Sequence, residues 1–308
     1  MLVSTLFNSF LILVSLFFLL FGADKFLESG ERISKSLGID DRLLGLILVS
    51  ISTSLPELAV AILAALDNKS EIVLGDIIGS NFANLGLGLG IGLIISPLVI
   101  KKETLFNEVP IHGAITLATL LLILNDSVLD KYEALTILIF FALMLLNIYK
   151  DGIKSKEKQK LHWKDLAYFV GSLALVIISA KILINSTIVL AKNLNLMPYL
   201  VSSLVIAIGT SLPEITVSII SSLKRKINIA LGDVLGSNIF NMGVILPIAT
   251  IINPIHANII VINHLFLLLL LTTYLTLSAY VKRKLTKIDG LILLIGYILF
   301  LTLFISKA

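Results

Sequence analysis

Apolar stretches of about 20 residues recur along the whole chain, and short polar segments separate them. A helix of about 20 residues crosses the hydrocarbon core of a bilayer, so each stretch predicts a membrane-spanning helix. We predict ten spans: 5–22 (continuing as helix to about 36), 43–66, 71–97, 106–124, 132–150, 165–192, 199–223, 228–252, 258–281 and 287–306. The predicted fold class is an all-α integral membrane protein.

Composition supports this interpretation. Of the 308 residues, 57% are hydrophobic and 14% are charged, whereas soluble domains have about 25% charged residues. The absence of Cys excludes a disulfide framework, thiolate metal sites and a Cys nucleophile. The net charge of +4 comes from basic residues in short loops, which indicates membrane orientation rather than nucleic-acid binding. Membrane lipid is the expected partner, and no obligate protein partner is evident.

The polar segment 151–164 divides the chain into two halves of five predicted spans, residues 1–150 and 165–308. If the N-terminus lies outside, most of the 24 Lys and Arg residues fall in the inner loops. This asymmetry predicts a cell-membrane protein with both termini outside and a cytoplasmic linker at 151–164. An odd number of spans per half means that the halves enter the membrane in opposite orientations, which is typical of transporters with inverted repeats.

Two motifs occur once in each half, at a constant spacing of 157 residues. Thr53–Glu57 (Thr-Ser-Leu-Pro-Glu) returns unchanged as Thr210–Glu214. Gly75–Asn84 returns in closely similar form as Gly232–Asn241. The repeats that contain these motifs cover about 43–97 and 199–254.

Each first motif combines a helix-breaking proline with a carboxylate inside an apolar span. Pro56 and Pro213 lack an N–H, and each should free backbone carbonyls one turn earlier. A charge such as that of Glu57 or Glu214 costs from ~3 to more than 10 kcal/mol at the bilayer centre if nothing neutralises it. Because no Lys or Arg lies nearby in these spans, we expect a bound cation. Ligands that are all oxygen favour a hard ion, and Ca²⁺ fits best.

The second motif is rich in glycine, which lets helices approach closely in membranes. This should bring Ser80, Asn84, Ser237 and Asn241 to the helices that carry Glu57 and Glu214. Taken singly, the prolines are also explained by kinks and the small polar residues by packing. Asp76 and Asp233 have two equal interpretations, a solvated acidic vestibule near the outer mouth or a ligand role.

At these motifs the chain resembles the cation/calcium exchanger superfamily, and most closely its Na⁺/Ca²⁺ exchanger branch. That family has two α-repeats, each with G-T-S-L-P-E followed by G-S-N-x-x-[N/D]. Thr53–Glu57 with Gly79–Asn84 matches this pattern, and so does Gly209–Glu214 with Gly236–Asn241. The resemblance implies an electrogenic secondary antiporter that exchanges about three Na⁺ for one Ca²⁺ by alternating access, without an organic cofactor. It also implies that the first and sixth helices slide across the other eight.

The resemblance assigns a role to each residue of the site. Glu57 and Glu214 are implied as bidentate carboxylates shared by Ca²⁺ and Na⁺. Backbone carbonyls are implied as ligands at Thr53, Thr210, Ser50 and Ala207. Side chains of the flanking Na⁺ sites are implied at Ser54, Ser211, Ser80 and Ser237. Asn84 and Asn241 are implied at the remaining central positions.

Three features depart from the family pattern. Ser52 replaces a glycine of the first motif, and Asn241 stands where many members have Asp. With Asn at both central positions, the inner shell holds two carboxylates, which weakens any case for K⁺ cotransport. Asp76 and Asp233 stand where other members can have Asn, so they could alter ion affinity or choice.

Three other functions remain open from the sequence. The nearest is an H⁺-coupled antiporter for Ca²⁺ or another divalent ion on the same fold. A remote alternative is an intramembrane aspartyl protease, because Gly75-Asp76 and Gly232-Asp233 resemble a Gly-Asp active site. The third is a passive channel, against which the predicted inverted repeat argues.

Overall fold

The computed structural model describes residues 2–37, 54–100, 102–106, 108–148, 163–225 and 227–305, which are mostly helical. The elements of the first half are α1 Leu2–Leu37, α2 Leu55–Leu66, α3 Ser70–Ala83, the π-helical segment π1 Asn84–Gly90, α4 Ile91–Ile95, β1 Leu98–Val99, α5 Lys102–Phe106, α6 Glu108–Asp126, β2 Val128–Leu129 and α7 Lys131–Ile148. Those of the second half are α8 Trp163–Leu194, α9 Pro198–Val201, π2 Ser202–Ile206, α10 Ala207–Thr210, α11 Leu212–Leu223, α12 Ile227–Phe240, π3 Asn241–Ile245, α13 Leu246–Ile252, β3 Ile255–His256, α14 Ile259–Lys282, β4 Lys284–Leu285 and α15 Lys287–Ile305.

Six helical runs in the described ranges are long and apolar enough to cross a membrane. They are Leu2–Gly30, Ser70–Ile95, Thr104–Asp126, Trp163–Leu194, Ile227–Ile252 and Ile259–Lys282. A seventh is present if Pro198–Thr210 and Leu212–Leu223 count as one bent span. Helices α2, α7 and α15 coincide with three further predicted spans, although much of 43–66 lies outside the described residues. The count of ten crossings therefore stays a prediction.

The two halves fold alike at matching positions. Helices α2 and α3 begin and end at the positions that α11 and α12 occupy in the second half. Ser54 and Ser211 precede α2 and α11 with similar backbone angles, φ −91° and ψ 12° against φ −82° and ψ 6°. Asn68 and Arg225, in the turns that follow, both have φ 57°. The sequence repeat is thus also a repeat of local structure.

Two short strand pairs join the halves. β1 pairs with β4 and β2 pairs with β3, both antiparallel. The first strand of each half therefore pairs with the second strand of the other half. Exchanging the two halves leaves this pattern unchanged.

The long helices α1 and α8 pack along each other in opposite directions. Arg32, near the end of α1, forms a 2.7 Å ion pair with Asp165, near the start of α8. At the opposite ends, Asn193 Nδ2 donates a 3.0 Å hydrogen bond to Ser4 Oγ. These contacts tie α1 and α8 into one pair.

Helix α3 lies at the centre of the molecule, with every residue from Ile72 to Ala83 buried. Its glycines allow close contact with the second half. A Cβ atom on Gly79 would lie 2.7 Å from Cβ of Ala207, and one on Gly75 would lie 2.7 Å from Cβ of Ser202. The expectation that glycine brings the second motif close to its neighbours is confirmed for α3.

Candidate cation site

Glu57 and Glu214 occupy the first turns of α2 and α11, where each directly follows a proline. Before α11, helix α10 ends at Thr210 and the axis bends by 52°. Because Pro213 has no N–H, the carbonyl of Gly209 loses the donor that a continuous helix would provide. The predicted helix break is confirmed in the second half. Its counterpart before Ser54 lies outside the described residues.

Both glutamates are fully buried. Oε1 of Glu57 accepts a 3.2 Å hydrogen bond from Ser211 Oγ, and Oε1 of Glu214 accepts a 3.2 Å hydrogen bond from Ser237 Oγ. Since Ser211 immediately precedes α11, the carboxylate of the first half contacts the turn that carries the carboxylate of the second. A buried carboxylate is costly unless a cation or hydrogen-bond donors compensate its charge.

Four asparagines from α3, π1, α12 and π3 cross-link the two halves. Asn84 Nδ2 donates to Asn238 Oδ1 at 3.0 Å, and Asn241 Nδ2 donates to Asn81 Oδ1 at 3.2 Å. Each pair is the repeat-related counterpart of the other. Both Asn84 Oδ1 and Asn241 Oδ1 are buried and have no hydrogen-bond partner among the described residues.

The predicted hydroxyl and carbonyl ligands are brought together in part. Ser80 Oγ donates a 3.4 Å hydrogen bond to the carbonyl of Ala207. Ser54 Oγ is buried, and no described residue is its hydrogen-bond partner. The predicted ligands Ser50 and Thr53 lie outside the described residues.

Several buried oxygen atoms of the predicted ligands accept no hydrogen bond within the described ranges. Glu57 Oε2 has no hydrogen-bond partner in the described part of the chain, like the oxygens of Ser54, Asn84 and Asn241. The same ranges contain no metal-type group of three or more His, Asp or Glu side chains. Oxygen atoms of this kind bind hard cations such as Ca²⁺.

The surroundings of Asp76 differ from the solvated vestibule that was one of its two predicted environments. It is fully buried, and its Oδ1 accepts a 3.2 Å hydrogen bond from Thr210 Oγ1. A negative charge on Asp76 would be repelled by those of Glu57 and Glu214. A solvated vestibule is therefore wrong for Asp76, because α3 packs closely against the second half here. Its counterpart Asp233 is only partly buried.

Asn81 and Asn238 were not among the predicted site residues. Both are fully buried and hold the two central asparagines in place. The sequence does contain a signal for both residues, because each is the Asn of the repeated Gly-Ser-Asn triplet.

Comparison with known proteins agrees with this geometry. The sequence profile of a family described as sodium/calcium exchanger protein matches residues 7–150 and 164–306. The putative antiporter CaxA of Alkalimonas amylolytica is 29% identical over 314 residues, which cover 97% of each chain. The sodium/calcium exchanger MaX1 of Methanosarcina acetivorans is 28% identical over 80% of this chain and 84% of its own. The fold is similar to that of the sodium-calcium exchanger NCX_Mj soaked with Na⁺ and Sr²⁺, with a TM-score of 0.65, 25% identity and coverage of 96% of this chain and 98% of that one.

Proposed function

Since this chain belongs to the sodium/calcium exchanger protein family, and is a membrane transporter rather than an enzyme, we propose that it exchanges Na⁺ for Ca²⁺ across the cell membrane by alternating access. Membership of this family excludes the alternative function as an intramembrane aspartyl protease. The observation that carries the proposal is the burial of Glu57 and Glu214 in the first turns of α2 and α11, where Ser211, which precedes α11, donates a hydrogen bond to Glu57. Two carboxylates balance the charge of one Ca²⁺.

The proposed architecture is ten spans arranged as two inverted five-helix repeats. Matching helix boundaries in the two halves and the exchange of strands between them support it. The excess of Lys and Arg in alternate loops supports an outside location for both termini and a cytoplasmic linker at 151–164. Opposite orientations of the halves would give each face of the membrane an equivalent path to the site.

In the proposed site, Ca²⁺ lies between Glu57 and Glu214. Asn84 Oδ1, Asn241 Oδ1 and the carbonyls of Thr53 and Thr210 complete a shell of about 6–8 oxygens. Na⁺ ions occupy flanking positions that share the two carboxylates. Their remaining ligands come from Ser54, Ser80, Ser211, Ser237 and the carbonyls of Ser50 and Ala207.

Exchange follows from competition for the same carboxylates. They can compensate either Ca²⁺ or a set of Na⁺ ions, but not both loads together. An exchange of about three Na⁺ for one Ca²⁺ moves one net charge, which exchanges ~2.3 kcal/mol with a membrane potential of 100 mV. The bound load hides the charge of the carboxylates and lets the α1–α8 pair slide across the other helices.

The test is uptake of radioactive Ca²⁺ by liposomes that contain the purified protein, driven by an outward Na⁺ gradient. We expect Glu57→Gln and Glu214→Gln to abolish uptake while the protein stays folded. Glu71→Gln is the matched control, because Glu71 also lies in the first turn of a helix but is exposed. Uptake that persists in either site variant would contradict the assignment. Uptake that needs a pH gradient and ignores Na⁺ would select the H⁺-coupled alternative.

A further inference from the structure

Asp76 is a buried carboxylate that the proposed set of ligands does not use. It lies in α3, one helical turn before Ser80, so both side chains share one face of the helix. That face meets α10, where Thr210 Oγ1 bonds to Asp76 Oδ1 and the Ala207 carbonyl accepts from Ser80. Asp76 therefore extends the row of oxygens along α3 by one turn.

The carboxylate oxygen of Asp76 that Thr210 does not contact is Oδ2, and its surroundings indicate a missing partner. Oδ2 is buried, and the described residues supply no hydrogen-bond partner for it. None of the ion pairs formed within the described ranges includes Asp76. A carboxylate in this state is costly in a membrane protein unless a cation compensates its charge.

The packing around Asp76 leaves it little freedom to turn away. Gly75 has no room for a Cβ against Ser202, and Gly79 has none against Ala207. The hydroxyl of Thr210 is held in turn by a 3.1 Å hydrogen bond to the carbonyl of Ile206. Backbone and neighbours thus fix the carboxylate beside α10.

We propose that Asp76 is a further cation-binding residue, which supplies a third carboxylate to the flanking Na⁺ position beside Ser80, Ala207 and Thr210. This inference rests on the proposed exchange function. It gives the site the third negative charge that Asn241 does not provide. Three carboxylates match the charge of three Na⁺ ions.

The charge of Asp76 should act more strongly on Na⁺ than on Ca²⁺. In this arrangement Oδ2 of Asp76 contacts the ion in the flanking position directly, whereas Ca²⁺ is held by Glu57 and Glu214. Electrostatic attraction falls with distance. Loss of this charge should therefore weaken Na⁺ binding more than Ca²⁺ binding.

The test is displacement of radioactive Ca²⁺ by Na⁺ from the purified full-length protein. In Asp76→Asn, which keeps an oxygen for the Thr210 hydroxyl, we expect the Na⁺ concentration that displaces half of the Ca²⁺ to rise about tenfold. The Ca²⁺ affinity without Na⁺ should change much less. Asp126→Asn is the matched control, because it removes the charge of an exposed Asp and should leave displacement unchanged. If Asp76→Asn does not fold, Asp76→Ser provides the same measurement.

Thr210→Val separates charge from positioning, because it removes the hydroxyl and keeps the carbonyl. We expect a smaller shift than in Asp76→Asn. An equal shift in the two variants would reduce Asp76 to a residue that positions Thr210, and wild-type displacement in Asp76→Asn would overturn the proposal outright. Neither result would contradict the proposed exchange function. That proposal is contradicted only if Na⁺ neither displaces Ca²⁺ from the wild-type protein nor drives Ca²⁺ uptake.

Discussion

The side-chain amide of Asn84 donates a 3.0 Å hydrogen bond to Oδ1 of Asn238, which lies in the other half of the chain. This bond uses the amide nitrogen of Asn84 and leaves its amide oxygen, Oδ1, without a hydrogen bond from the described residues. The repeat-related bond from Asn241 to Asn81 has the same effect. The outer asparagines, Asn81 and Asn238, thus fix the amides of the inner ones, Asn241 and Asn84, whose Oδ1 atoms accept no hydrogen bond from the described residues.

Removal of Asn238 should affect both stability and ion binding. Asn238→Ala leaves the buried Asn84 amide without its acceptor, which costs about 1–3 kcal/mol. We expect a lower midpoint of thermal unfolding and weaker Ca²⁺ binding in the purified protein. The matched control is Asn193→Ala, which removes an Asn–Ser hydrogen bond between α1 and α8. If Asn238→Ala binds Ca²⁺ like the wild type, the outer asparagines do not orient the inner ones.

The close approach of α3 and α10 can be tested at Gly79. Gly79→Ala places a methyl group 2.7 Å from Cβ of Ala207 and 2.8 Å from the carbonyl oxygen of Ser203. Overpacking of this kind costs about 1–3 kcal/mol. We expect Gly79→Ala to lower thermal stability and weaken Na⁺ binding, because Ser80 moves away from Ala207.

Gly171→Ala is the matched control for this change. Gly171 also lies in a helix, but no atom of a described residue lies within 4 Å of an added Cβ. Alanine is favoured over glycine in helices by about 1 kcal/mol, so this variant should be as stable as the wild type or more so. Equal behaviour of the two variants would contradict the close packing at Gly79.

The positions of the helices could be predicted well from the sequence because hydrophobicity in a membrane protein is a strong signal. Predicted spans such as 165–192 and 258–281 differ from α8 and α14 by only a few residues. The constant spacing of the motifs also identified Glu57 and Glu214 as buried carboxylates.

The environment of Asp76 could not be predicted in the same way. Its burial depends on contact between α3 and the residues from Ser202 to Thr210, which are far away in the sequence. No local pattern distinguishes Asp76 from Asp233, although only Asp76 is fully buried. The role of Asn81 likewise follows from a hydrogen bond between the halves. Local patterns predict the elements, whereas the site depends on how they pack.

An ion pair connects α8 to the rest of the molecule. Lys181 on α8 pairs with Asp67, which directly follows α2, and both side chains are partly exposed. If the α1–α8 pair slides during transport, this pair stabilises the access state in which it forms. Partly exposed ion pairs contribute about 0.2–1 kcal/mol, so Lys181→Met should change the ratio of the two access states by up to about fivefold.

This shift can be measured as the apparent Ca²⁺ affinity at each face of oriented vesicles. We expect Lys181→Met to raise the affinity at one face and lower it at the other. The exchanged pair Lys181→Asp with Asp67→Lys should restore wild-type values. A change in the same direction at both faces would show that the ion pair does not select between access states.

The proposed opposite orientation of the two halves predicts that equivalent turns lie on opposite sides of the membrane. Lys69 follows α2, Lys224 follows α11, and both are exposed. The natural chain has no Cys, so Lys69→Cys and Lys224→Cys each introduce a single thiol without further changes. In intact cells, a thiol reagent that cannot cross membranes should label Lys69→Cys, while Lys224→Cys should react only after permeabilisation. Labelling of both positions from the same side would exclude inverted repeats, because equivalent turns would then share one face.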